Sequence, residues 1–260
     1  MKTRLTLSLL FFLTLRVYAA PVWVVAGSVR VGEEGCSVSR PMLTWNANGV
    51  AHNLGESAAA VRVLGFSNGL ASTPATVTLD AAASAYLPLR PTDNLPPLPP
   101  VYIAKLDVPD QVRIESRLTF SYDQCLGAPP LGPAGKVALP VYRALIPANT
   151  QQVHLGTDLG IQDVRVNVGI YNAGSQWATA AIVMRRPSCR SSADRTTLVS
   201  IPPDSLVQVT ALPPLPCDTA SLVEPHVTYA VVTVDQPSVS YAVALSNTNA
   251  PVVTVGVGTP

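Results

Sequence analysis

The chain says much the same thing twice. Val61–Leu79 reads VRVLGFSNGLASTPATVTL, and about a hundred residues later Val164–Met184 reads VRVNVGIYNAGSQWATAAIVM. A second pair follows in the same order, LDVPDQVRIESRLTFS from Leu106 and VTVDQPSVSYAVALSN from Val232. Two matched segments in one order imply a folding unit present twice. A copy of this length is a domain in itself, so the arrangement is a tandem and not a solenoid of short repeats.

The ends and the composition set the compartment. Lys2 and Arg4 precede an apolar run, Leu5–Leu15, that is too short to cross a membrane as a helix. Val17-Tyr18-Ala19 supplies small residues for cleavage after Ala19, so residues 1–19 read as an export signal. No later stretch predicts a transmembrane segment in the mature chain, and aromatics at 6% are too few for the girdles of a membrane barrel. The expected location is secreted, either extracellular or periplasmic. A net charge of +1 with 13% charged residues gives no basic face for nucleic acid. Twenty-five prolines among abundant Val and Thr favour strands joined by turns.

Exported cysteines are expected to pair. Cys36 and Cys125 fall in the first unit and Cys189 and Cys217 in the second, which selects Cys36–Cys125 and Cys189–Cys217. Zinc is the competing use, but there is no C-x-x-C and no histidine at ligand spacing. No metal or cofactor is expected.

Alternating segments place strands at Trp23–Val31, Pro41–Asn46, Val61–Phe66, Ala75–Leu79, Val101–Asp107 and Val112–Tyr122, with Trp45 as a core anchor and Asn48-Gly49 as a turn. Pro88–Pro100 reads as an extended, polyproline-like connection. The Gly- and Pro-rich stretch 127–140 reads as a linker between a first domain at 20–126 and a second at 141–260. In the second, strands are expected at Gln152–Leu155, Val164–Tyr171, Ala178–Arg185, Thr197–Ile201, Leu206–Ala211, Val227–Val234, Val239–Leu245 and Val252–Val257. Short strands at this spacing predict a pair of antiparallel β-sandwiches.

The run Arg165–Gly174 (RVNVGIYNAG), the strand pair after it and the late SYAV strand resemble the immunoglobulin-like repeats of secreted bacterial proteins. The resemblance implies an all-β chain of two tandem immunoglobulin-like antiparallel β-sandwich domains, placed in the envelope or outside the cell. No activity comes with it.

Few residues point to chemistry. Gly65-Phe66-Ser67-Asn68-Gly69 matches the G-x-S-x-G elbow, which requires a strand turning sharply into a helix. Here strand-forming residues follow, and the second copy of the matched segment carries Tyr171 at that place, so a hairpin is expected and not a nucleophile. His52, His154 and His226 lack metal-ligand spacing and read as surface or strand-end residues. Asp158 and Asp163 flank a loop that reads as a solvated turn before it reads as a calcium site. Arg185, Arg186, Arg190 and Arg195 surround Cys189, and a tethered basic loop suits carboxylate or phosphate on an anionic envelope glycan or protein. The expected function is that of an exported, non-catalytic structural or adhesive binding protein. The alternatives are a carbohydrate-binding accessory module or hydrolase, with Trp45 or Trp177 lining a sugar groove, and then a periplasmic pilus-type chaperone.

Overall fold

The computed structural model of the chain describes residues 21–31, 42–67, 74–89, 101–123, 135–157, 164–185, 194–211, 227–246 and 251–255. It is all-β: every strand pairing is antiparallel, and no helix occurs among the described residues. The first set of strands is β1 (Val22–Val31), β2 (Met42–Asn53), β3 (Ala59–Phe66), β4 (Ala75–Leu79), β5 (Ser84–Tyr86), β6 (Val101–Asp107), β7 (Val112–Asp123), β8 (Gly135–Leu139) and β9 (Val141–Tyr142). A second set follows with β10 (Gln151–Thr157), β11 (Val164–Asn172), β12 (Ala178–Arg185), β13 (Arg195–Ile201), β14 (Ser205–Ala211), β15 (Val227–Val234), β16 (Ser238–Ser246) and β17 (Pro251–Val255).

In the first set, β4-β3-β6-β1 make one layer and β2-β7-β8, with β5 beside β2, make the other. Val22, Val24 and Ala26 of β1, Val61 and Val63 of β3, and Tyr102, Ala104 and Leu106 of β6 meet Ala51, Val112 and Ile114 of β2 and β7 in one core. The layers are joined because β1 changes sides. It pairs with β6 from Val22↔Leu106 to Gly27↔Val101, and then with β2 from Gly27↔Ala47 to Val31↔Leu43. Gly27 stands at the changeover with φ 141°, a backbone conformation that residues with a Cβ avoid.

The second set has the same strand order within its layers, but as two separate four-stranded sheets without the β1–β2 pairing. Its layers are β10-β15-β12-β13 and β14-β11-β16-β17, so β10 to β17 take the places of β1 to β8 in order. Val168 and Ile170 of β11, Ala180 and Ile182 of β12, and Val232 and Val234 of β15 fill the space between them. In the second set only β12 with β13 and β16 with β17 are consecutive strands paired in one sheet; in the first set β3 with β4 and β7 with β8 are, and β1 pairs with β2 as well. That division differs from the immunoglobulin order, where the first, second, fourth and fifth strands share a sheet.

One polar device closes the same corner in both sets. The Asn53 amide, at the end of β2, donates to the carbonyls of Ser57 (2.7 Å), Leu79 (3.4 Å) and Asp80 (2.8 Å), while its Oδ1 accepts from the Gly55 N–H at 3.0 Å. Asn172, at the end of β11, donates to Gln176 (2.8 Å), Ile201 (3.2 Å) and Pro202 (3.0 Å) and accepts from the Gly174 N–H at 2.9 Å. Both asparagines are buried. Each satisfies carbonyls that the ladder leaves unpaired where the chain turns out of the sheet.

The two sets meet along an apolar seam. Val25 and Ile103, on the outer faces of β1 and β6, pack with Tyr171, Leu206, Val239, Tyr241 and Val243 from the outer face of β14-β11-β16. Ala47 of β2, Leu139 of β8 and Tyr142 of β9 join them. Two polar contacts fix the register across this seam: Lys105 Nζ lies 2.8 Å from Asp204 Oδ1, and the Tyr142 hydroxyl donates to the Ser240 carbonyl at 2.5 Å.

Four expectations change. Asn48-Gly49 is no turn but mid-strand in β2, because Leu87 and Leu89 pack over Gly49 and the β2–β7 register runs unbroken from Met42↔Asp123 to Asn53↔Val112. The stretch 127–140 contains β8, paired with β7, so it is not linker throughout, and Val141–Tyr142 pairs with β1 of the first set. The match of Val61–Leu79 to Val164–Met184 is one strand out, since β3 takes the place of β12 and not of β11. Tyr171 is therefore the counterpart of His52 and not of Ser67. The cysteines and residues 1–19 lie outside the described residues.

Replacing Gly27 by Val is expected to cost roughly 1–3 kcal/mol through backbone strain alone. Asn53→Ala and Asn172→Ala should each cost about 2–4 kcal/mol by orphaning buried carbonyls. Urea unfolding midpoints measure both, and equal losses at the two asparagines would show that the corners carry equal weight.

Candidate functional site

The ladder correspondence pairs residues position by position. His52, Ser84, Arg113, Glu115 and Arg117 of the first set take the places of Tyr171, Leu206, Val239, Tyr241 and Val243 in the second. The second group is the seam. The first group is its polar counterpart on a face that the other set does not cover.

On that face the residues lie in cross-strand rows, Ser84–His52–Arg113 and Tyr86–Val50–Glu115. His52 Nδ1 is 2.7 Å from Ser84 Oγ, and Nε2 is 3.7 Å from Glu115 Oε1. Arg117 donates to the same glutamate, and this hydrogen bond holds the Glu115 carboxyl below its ordinary pKa. Arg113 is exposed, and Tyr86 is 76% exposed beside it.

A serine, an imidazole and a carboxylate in sequence are the parts of a nucleophile relay. Here the carboxylate stands beyond hydrogen-bond reach of the ring and is already engaged by a guanidinium, so it does not orient the imidazole. The rows lie on one face of the three strands. An exposed phenol beside guanidinium groups on a rigid sheet suits recognition by stacking and charge-assisted hydrogen bonds.

The residues that the sequence singled out are described only in part. Ser67 is buried; its Oγ accepts from the Ile103 N–H at 3.1 Å and its own N–H donates to the Ile103 carbonyl at 2.9 Å, which splices the end of β3 onto β6. Arg185 Nε lies 3.1 Å from Asp194 Oδ2, and Arg195 stands opposite Met184 on β13. Arg186, Arg190, Asp158, Asp163 and His226 lie outside the described residues. Trp177 is 64% exposed, while Trp23 is half-buried against the seam. The polar face was missed because its residues are scattered over three strands and share no motif.

His154 is not a surface residue. It sits inside the second core, where Ser240 Oγ donates to Gln152 Oε1 at 2.8 Å and Gln152 Nε2 donates to Ser238 Oγ at 3.0 Å. With the Ser240 proton committed to Gln152, the ring contacting Ser240 Oγ at 2.7 Å must donate from Nε2, which leaves Nδ1 bare and without a partner. Burial lowers its pKa to about 4.

The chain matches no family model, no curated protein and no solved structure.

The His154 environment sets a pH dependence. The unfolded ring binds a proton near pH 6.5 and the folded ring only near 4, so the unfolded state holds more protons between these values. Stability is expected to be full above pH 6.5 and to fall by up to about 3 kcal/mol on acidification to pH 4, as a linkage estimate. His154→Leu should flatten this part of the profile, measured by urea unfolding across the pH range.

Proposed function

We propose that the protein is an exported, non-catalytic structural or adhesive binding protein of the cell envelope or extracellular space. In this reading it is a tandem of two duplicated sandwiches behind a signal peptide at residues 1–19. The duplication is supported by the parallel strand order within the layers and by the paired asparagine corners. One observation carries the binding role. The same sheet face is apolar and covered in the second set, but open and furnished with Tyr86, Arg113 and Arg117 in the first. Exposed polar side chains spread over three strands fit an extended partner, such as an anionic envelope glycan or an acidic protein surface, better than a small substrate. The loop from Arg185 to Arg195 is the rival location, and there Arg185 is already engaged by Asp194.

The 2.7 Å contact between Ser84 and His52 favours a hydrolase as the second reading. The carboxylate geometry counts against it. A fluorophosphonate probe separates the two, because stoichiometric labelling at Ser84 would replace the binding reading with a catalytic one.

The binding reading is tested by co-sedimentation of the purified chain with envelope preparations. Tyr86→Ser combined with Arg113→Ser is expected to weaken attachment about tenfold or more and to flatten its salt dependence, with little change in Tm. Replacing Arg185, Arg186, Arg190 and Arg195 by Ser should have less effect. Attachment unchanged by both sets would defeat the proposal.

A further inference from the structure

The seam shows what this fold does with the outer face of its β4-β3-β6-β1 layer: it covers that face with another sheet. The corresponding layer of the second set is β13-β12-β15-β10. Trp23, Ile103 and Lys105 of the covered face correspond to Val153, Tyr229 and Val231. The lysine that tempers the seam in the first set is thus a valine in the second.

Around these residues the outward side chains form two rows, Val153–Val231–Val183–Thr196 and Gln151–Thr233–Ala181–Leu198. Val231 is buried at the centre, Val153, Val183 and Ala181 are half-buried, and Leu198 is 71% exposed. The described charges nearest the rows are Arg185, which Asp194 engages, and the exposed Asp235 beyond Thr233, which accepts from the Thr179 N–H at 2.8 Å. This layer is more apolar than its covered counterpart, and it ends in an exposed leucine.

We propose that a second copy of this chain covers this layer, through the same layer of its own, in a two-fold dimer. A head-to-tail continuation of the seam is disfavoured by charge. The face that would have to dock is the one bearing Arg113, Glu115 and Arg117, and placing it on Val183 and Val231 would strip water from the exposed Arg113 and from the Glu115–Arg117 pair while offering no opposite charge in return. A self-complementary apolar face meets no such obstacle, and two-fold pairing of one patch with itself is the commonest form of assembly. The inference rests on the strand correspondence and not on the partner proposed for the open face.

Sedimentation equilibrium of the mature chain over a range of concentrations tests it, with amide exchange followed in Ala178–Ile201. A monomer–dimer equilibrium is expected, with exchange in β12 and β13 slowing as concentration rises. Leu198→Glu, at a side chain that packing does not hold, should weaken the dimer at least tenfold while the monomer keeps its Tm. Arg113→Glu on the opposite face should leave the dimer intact. A chain that stays monomeric at every concentration, or a dimer indifferent to Leu198→Glu, would overturn the proposal. Assembly abolished by Arg113→Glu and spared by Leu198→Glu would also overturn it, in favour of head-to-tail stacking.

Discussion

The structure depends on two strand pairs at its centre that are packed on both faces. On one side of the seam β1 and β6 are packed front and back, and on the other side β11 and β16 are. A sheet covered on both sides cannot spend alternate residues on water, so Trp23-Val24-Val25-Ala26 runs apolar without a break. Val239-Ser240-Tyr241-Ala242-Val243 admits one polar side chain, and that serine is bound into the Gln152–His154 chain. The outer layers keep alternation, as β13 does with half-buried and exposed residues in turn. Burial on both faces turns two sandwich-like halves into one packed body, and it explains why polar contacts there are few and specific. Lys105 reaches Asp204, which also accepts from the Tyr171 hydroxyl at 2.5 Å, while the ammonium lies 5.8 Å from the centre of the Tyr171 ring.

Close contact also dictates individual residues. Tyr241 stands opposite Gly169 in the β11–β16 ladder, and a methyl group at Gly169 would fall within the tyrosine ring. The ring lies flat over the glycine and carries its hydroxyl to Gln208 Oε1 at 2.9 Å. In the first set the same pair is Val50 and Glu115, and the valine Cβ is tolerated because the glutamate turns to Arg117 instead.

Much of the strand content was legible, because Val-, Thr- and Ala-rich segments that alternate over five to nine residues have few other ways to bury one side. Register was not. Val-Arg-Val occurs at Val61 and again at Val164, but alternation is common to every strand of such a fold and carries little information about which strand is which. The information lies in the polar exceptions: Asn53-Leu54-Gly55 and Asn172-Ala173-Gly174 mark the same corner, and aligning on them gives the observed correspondence. Asn48-Gly49 misled because turn chemistry was read without its partner strand; β7 is long enough to hold β2 straight through it. The glycine and proline content around 127–140 hid β8 because an edge strand needs only one ladder of hydrogen bonds. The polar face on β5, β2 and β7 could not be found from spacing, since its residues come together only through the ladder.

The changeover at Gly27 bears on the order in which the chain can become structured. A strand shared by two layers has partners scattered through everything that follows it: β2 next, β6 much later, and β9 last of all. Of the described strands β1 is the first to emerge during synthesis, yet it cannot complete its pairing until Tyr142 is available. Hairpins such as β3–β4 can close early, while the strand that laces the layers together waits with its apolar residues unpaired. The first set is closed by its earliest described strand, and only after its last has arrived.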